Sequence, residues 1–168
     1  MEAAVQHNIK ETFADLTGIL SQFDQSQIDR IPFEGSWTAG QVGEHLTKGL
    51  SGMPELVAGK TEETRRRFDA KAQYLRDTFL DFNTKFKSPE FLEPTETVHS
   101  KEQLLEGFRK IEKELLDIVK KQDLTLTLLD FEMPQSGTLT TYEWLAFLSA
   151  HAQRHTHQLK NIYRHLNP

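Results

Sequence analysis

The chain contains no cysteine. Disulfide scaffolds, thiolate nucleophiles, Cys-type zinc sites and iron–sulfur clusters are therefore excluded. No apolar run approaches the roughly 18 residues of a membrane span. The first residues, Met1 to His7, lack the positive and apolar regions of a signal peptide. Basic charge is not in excess: 20 Lys and Arg stand against 25 Asp and Glu, for a net charge of −5 with His neutral. A nucleic-acid binder normally carries a basic excess or stripe. The one basic run, Arg65-Arg66-Arg67, follows Glu62 and Glu63 and reads as a solvated face. These absences lead us to expect a soluble cytoplasmic protein that engages neither nucleic acid nor membrane.

What is present is enough for one domain over residues 1–168. Hydrophobic residues make up 37% of the chain and aromatics 10%, so a core can form without staples. Val5, Ile9, Phe13, Leu16, Ile19, Leu20 and Phe23 recur at spacings of three and four, the period of an amphipathic helix. A second stripe holds Val42, His45, Leu46, Leu50 and Met53, with a kink or stop expected at Pro54. Thr61 to about Phe86 reads as a charged, helix-favouring segment, and Ser88 to Thr97 as an extended connection around Pro89 and Pro94. Leu104, Leu105, Phe108, Ile111, Leu115, Ile118 and Val119 make the next stripe. Leu124 to Met133 is apolar but aperiodic and, with Pro134, Ser136 and Gly137 after it, reads as a loop, with a briefly paired strand as the lesser alternative. The last helix is expected from about Tyr142 to Leu166. Capping boxes are expected at Thr38/Gln41, Ser100/Gln103 and Thr140/Glu143. Four long amphipathic segments imply an all-α fold, an antiparallel four-helix bundle. The connections are longer than minimal bundles use, so at least one crossover is expected.

The chemistry lies with the histidines, of which there are seven. His151 and His155 are four residues apart, so on one helix they lie about 40° apart and one turn apart. That spacing lets two imidazoles reach one divalent ion. Trp144, Phe147, Leu148, Leu159 and Ile162 share their side of the helix, which turns both rings toward the core; Gln158 falls there too. The third candidate is His45, in the inward stripe of the second helix. His7 sits near the terminus, and His99 precedes a helix cap. His157 projects toward the edge, and His165 lies about 21 Å along the axis from His151. The same pattern also fits three buried, hydrogen-bonded histidines with no metal. Glu44 reads as a solvated helix residue, with a general base or an outer contact to the site as its other reading.

Two segments carry a family resemblance. Trp37-Thr38-Ala39-Gly40-Gln41-Val42-Gly43-Glu44-His45-Leu46 resembles the second-helix motif of the DinB-like superfamily: a tryptophan, a helix start, then a histidine about eight residues on. Phe147 to Leu159 is similar to that family's second half, two histidines four apart followed closely by Gln. The resemblance implies a four-helix bundle of the DinB/YfiT type, usually dimeric, with His45, His151 and His155 around a divalent metal such as nickel or zinc. It also implies thiol-dependent transferases and isomerases that use a low-molecular-weight thiol. No residue here is assigned to the thiol. A homodimer is further expected because Phe79, Phe82, Phe86 and Phe91 load one segment with more aromatic surface than one core hides.

Two functions follow. One is a metal-dependent enzyme acting on a small molecule by S-transfer or hydrolysis, since three imidazoles leave coordination positions open. The other is a non-catalytic helical interaction or stress-response domain, with a structural metal or merely buried histidines. A fourth ligand from Glu44, an Asp or Gln158 favours the second; an open position favours the first.

Overall fold

The computed structural model describes residues 1–168. Four of its helices are long enough to build a bundle: α1 (Glu2–Gln22), α3 (Ala39–Leu50), α6 (Lys101–Lys121) and α7 (Thr141–Leu166). Each buries the stripe that its sequence period defines. Ile9, Phe13, Leu16 and Leu20 point inward from α1; Val42, Leu46 and Leu50 from α3; Phe108, Ile111 and Leu115 from α6; Leu145, Leu148, Leu159 and Ile162 from α7. They form one continuous core. At roughly 1.5–3 kcal/mol per fully buried aliphatic or aromatic side chain, this core dominates the stability.

The order of the helices around the bundle differs from their order in the chain. α1 packs on α6 and α7, and α3 packs on the same pair. The successive helices α1 and α3 therefore face one another across a diagonal, as do α6 and α7. This is the expected crossover, and it occurs twice. Its consequence is that α3 and α7, far apart in sequence, lie side by side.

Shorter elements fill the connections: α2 (Gln25–Ile28), α4 (Met53–Ala58), α5 (Ala72–Leu80) and a single 3-10 turn at Glu90–Leu92. Helix α3 stops at Leu50, and Pro54 sits in the first turn of α4, where its missing N–H leaves no bond unmade. Two capping boxes form as expected. Thr38 Oγ1 accepts from the Gln41 N–H at 3.1 Å while the Thr38 N–H donates to Gln41 Oε1 at 3.0 Å. Thr140 and Glu143 exchange the same pair of bonds. At Ser100 only half forms. Its hydroxyl accepts from Gln103 N–H at 3.4 Å, and Gln25 Oε1, rather than Gln103, reaches back to a free N–H, that of Lys101.

Two stretches depart from their sequence reading. Thr61 to Phe86 is not one helix. Thr61–Glu62 is a short strand, β1, residues 63–71 are irregular, and only Ala72–Leu80 is helical. Long-range contacts override the local propensity. β1 pairs antiparallel with Thr127 and Leu128, and Arg66 bends away to meet the wholly buried Glu143 in a two-pronged ion pair at 2.6 Å per bond. Arg66 is thus not part of a solvated run. Leu124 to Met133 is not a loop. Thr127–Met133 is β2, paired antiparallel with β3 (Gly137–Thr140). Its alternation is hidden because Thr127 and Leu128 are both buried, and the residues from Leu129 to Glu132 are all exposed. The turn is made by Gln135 and Gly137, both at positive φ. β3 runs directly into α7, so this small sheet aims the helix that carries two of the candidate histidines.

Candidate metal centre

Helix α3 presents His45 between the buried Val42 and Leu46. Helix α7 presents His151 and His155 one turn apart among Leu148, Ala152 and Leu159. Because α3 and α7 are neighbours, the three rings converge. Ring centroids are 5.2 Å apart for His45–His151, 4.7 Å for His45–His155 and 4.6 Å for His151–His155. One nitrogen from each lies within 4.8 Å of the others. All three residues are at most 9% exposed. Trp37 flanks His45, while Phe147 and Phe79 flank His151, so the surroundings are apolar and aromatic.

Hydrogen bonds set the direction of two rings. His45 Nδ1 is 2.9 Å from the Leu92 carbonyl, which can only accept, so the proton sits on Nδ1 and the Nε2 lone pair is free. His155 Nδ1 likewise donates to Gln158 Oε1 at 2.7 Å. Outer contacts of this kind fix the tautomer of metal-ligating histidines. His151 differs: its Nδ1 is buried and has no partner. An unmet buried polar group costs about 1–3 kcal/mol, a cost that the fold bears at His151. Burial holds all three imidazoles in the neutral form that a metal requires. It lowers His45, lowers His151 strongly with help from its two neighbours, and takes His155 down to about 4.

No fourth side chain joins them. Glu44 points away from the three rings. Its Oε2 accepts from His99 Nε2 at 2.9 Å, from Thr95 N–H at 2.9 Å and from Thr95 Oγ1 at 3.0 Å. Its Oε1 meets Lys48 at 2.8 Å. Burial would raise its pKa, but these bonds outweigh that and bring it to about 2. Gln158 is used in orienting His155. His7 pairs with Glu11 at the exposed start of α1, His165 lies against Phe33, and His157 stacks on Phe82 at 4.2 Å between centroids. None of these three approaches the cluster.

His99 was not marked by the sequence, which places it only before a cap. It is buried, and its Nδ1 and Nε2 meet Asp29 at 2.5 Å and Glu44 at 2.9 Å. Burial would lower its pKa, but the bonds and charges of the two carboxylates raise it above the usual value. No spacing rule links residues 29, 44 and 99; only the folded chain brings them together.

The sequence model of the DinB superfamily matches residues 8–159. The chain belongs to that superfamily. The uncharacterized protein YuaE of Bacillus subtilis (strain 168) is 28% identical over 165 residues, with 90% of each chain covered. Two solved structures share the fold. YfiT of Bacillus subtilis, described as "a probable metal-dependent hydrolase with an unusual four-helix bundle topology", aligns with a TM-score of 0.62 at 14% identity, covering 98% of this chain and 87% of its own. TT2238, described as a four-helix bundle protein, aligns with a TM-score of 0.57 at 20% identity, covering 96% and 99%. The four-helix bundle expected from the sequence is thus the fold of this family. No helix is long and apolar enough to cross a membrane.

Proposed function

We propose that the chain is a divalent-metal-dependent enzyme acting on a small molecule, with His45, His151 and His155 as the protein ligands of a nickel or zinc ion. One observation carries the reading: three buried, neutral imidazoles converge, and no carboxylate stands in the group with them. Structural zinc sites are usually closed by four protein ligands, whereas catalytic sites keep a position open. The interaction-domain alternative called for a fourth ligand from Glu44, an Asp or Gln158. Glu44 and Gln158 are both committed to other partners.

A divalent ion held by neutral ligands keeps its full charge and supplies Lewis acidity, lowering the pKa of water or a thiol and polarising a carbonyl. The chain's own part is to hold the three nitrogens, fix two tautomers through Leu92 and Gln158, and surround the site with Trp37, Phe79 and Phe147 so that bulk water is displaced. Hydrolysis is supported by the description of YfiT. Transfer to a low-molecular-weight thiol is the second reading, favoured by the absence of any carboxylate in the site, which leaves an anionic thiolate as a fitting partner. A homodimer joined through the exposed Phe82, Phe86 and Phe91 belongs to the same proposal.

The test is metal analysis of protein purified without a histidine tag or chelator, followed by turnover of ester, amide and thiol-acceptor substrates with the metal present and removed. The expected result is about one nickel or zinc per chain by analogy with single three-ligand sites, and turnover that disappears with the metal. Metal-free protein that also fails to take up either ion on titration contradicts the reading.

A further inference from the structure

The connection from Asp81 to Ser100, between α5 and α6, runs past the metal centre and supplies the Leu92 carbonyl that receives the His45 proton. It contains one 3-10 turn and no strand. Phe91, Glu93, Thr95 and Val98 along it are exposed, so apolar burial does little to fix it. Polar side chains next to the ligands hold it instead. Arg154, beside His155, donates to the carbonyls of Phe79 at 3.2 Å, Asp81 at 2.8 Å and Thr84. Glu44, beside His45, grips the other end through both hydrogen-bonding groups of Thr95 and through His99. Lys48 bridges Glu44 and the Glu93 carbonyl, at 2.8 and 2.7 Å. Asp29 completes the hold, accepting from the His99 N–H at 2.8 Å and meeting Nδ1 at 2.5 Å.

We propose that Glu44, His99 and Asp29 form a positioning clamp for the metal centre: they pin residues 92–99 to α3 so that the Leu92 carbonyl holds His45 in one tautomer and one orientation. The three act through the backbone of the connection and touch neither metal nor substrate. The arrangement explains why an acidic residue beside a candidate ligand faces away from it. Glu44 fixes the segment that fixes His45. The proposal rests on the metal reading above, but its first consequence, a single His45 tautomer, holds in metal-free protein.

The experiment combines nitrogen-15 imidazole NMR of the metal-free protein with zinc titration against a competing chelator. Wild type is compared with Glu44→Ala, Glu44→Gln and Thr95→Ala, each checked for folding by its thermal transition. Wild type should show His45 protonated on Nδ1 alone. Glu44→Ala should show a mixture of tautomers and lose about 10–100-fold in zinc affinity, the usual cost of removing an outer contact. Glu44→Gln keeps an oxygen for Thr95 and His99 and should recover most of both. Thr95→Ala, at an exposed position, should shift both readouts less and in the same direction, and it carries the test should Glu44→Ala not fold. Folded variants that all retain one tautomer and wild-type zinc affinity overturn the clamp. Wild type that binds no zinc removes the metal reading alone, and the tautomer comparison still decides the clamp.

Discussion

Two kinds of buried histidine sit within this bundle, and their surroundings are opposite. His45, His151 and His155 are surrounded by aromatic rings and by one another, with no carboxylate among their partners. His99 is held between two carboxylates. The same side chain is pushed toward neutrality in the first setting and toward charge in the second. A neutral imidazole keeps a lone pair to offer; a doubly bonded, charged one has none. Burial alone therefore does not mark a ligand. What marks the candidates is convergence: three buried imidazoles bring one nitrogen each within 4.8 Å of the others, with no carboxylate bonded to any of them.

The strongest way to break this contrast is to delete one member of each kind. His151→Ala should reduce metal affinity by more than the roughly 10–100-fold typical of an outer contact, while metal-free protein keeps its bundle. The thermal transition should then differ from wild type with metal added and hardly at all without it, because an ion that binds only the folded state stabilises it by mass action. His99→Ala should instead destabilise the bundle itself, with only the smaller loss of metal affinity, about 10–100-fold, expected of a clamp residue. Two partly exposed carboxylates lose their shared partner, and stability should fall by about 1–3 kcal/mol whether or not metal is present. Urea denaturation with and without added zinc separates the two patterns.

Gly40 tests the same clamp from the side. A Cβ there would stand 2.5 Å from Asp29 Oδ1 and 2.6 Å from His99 Nδ1, so only glycine lets the pair close over α3. Gly40→Ala should cost about 1–3 kcal/mol by overpacking, despite alanine's better helix propensity. A denaturation midpoint at or above wild type contradicts this.

The two settings also predict opposite pH dependences. His99 has a raised folded-state pKa, so its stabilisation is fully present below the unfolded-state value of about 6.5 and fades as pH rises through the higher folded value. The stability gap between wild type and His99→Gln should narrow as pH increases above neutrality. In metal-free protein the three clustered histidines have lowered pKa values. Stability is complete above about 6.5 and falls as acid approaches the folded values, about 4 for His155. Metal-free His155→Ala should lose less stability than wild type over that acid range. The smallest effects belong to His157→Ala and His165→Ala, whose side chains lie outside the cluster and should change stability by no more than about 0.5 kcal/mol.

Much of this was readable in the chain. The periodic stripes of α1, α3, α6 and α7 survive in the fold because each packs one apolar face, and two of three capping boxes close as written. The inward turn of His45, His151 and His155 follows from their apolar neighbours on the helix. Sequence period failed where partners are distant. Residues 61–71 have helix-favouring composition but are claimed by β2 and by Glu143. The hairpin of β2 and β3 depends on a turn at Gln135 and Gly137 that no alternation announces. His99 was missed for the same reason, since Asp29 and Glu44 reach it only after α2, α3 and the connection before α6 have packed together.

The most direct test of the central claim is a calorimetric titration of zinc and nickel into metal-stripped, tag-free protein, repeated for His45→Ala, His151→Ala, His155→Ala, His157→Ala and His165→Ala. The account predicts one site per chain that is lost in the first three variants and retained in the last two. Binding that survives in all five variants, or none in wild type, contradicts it.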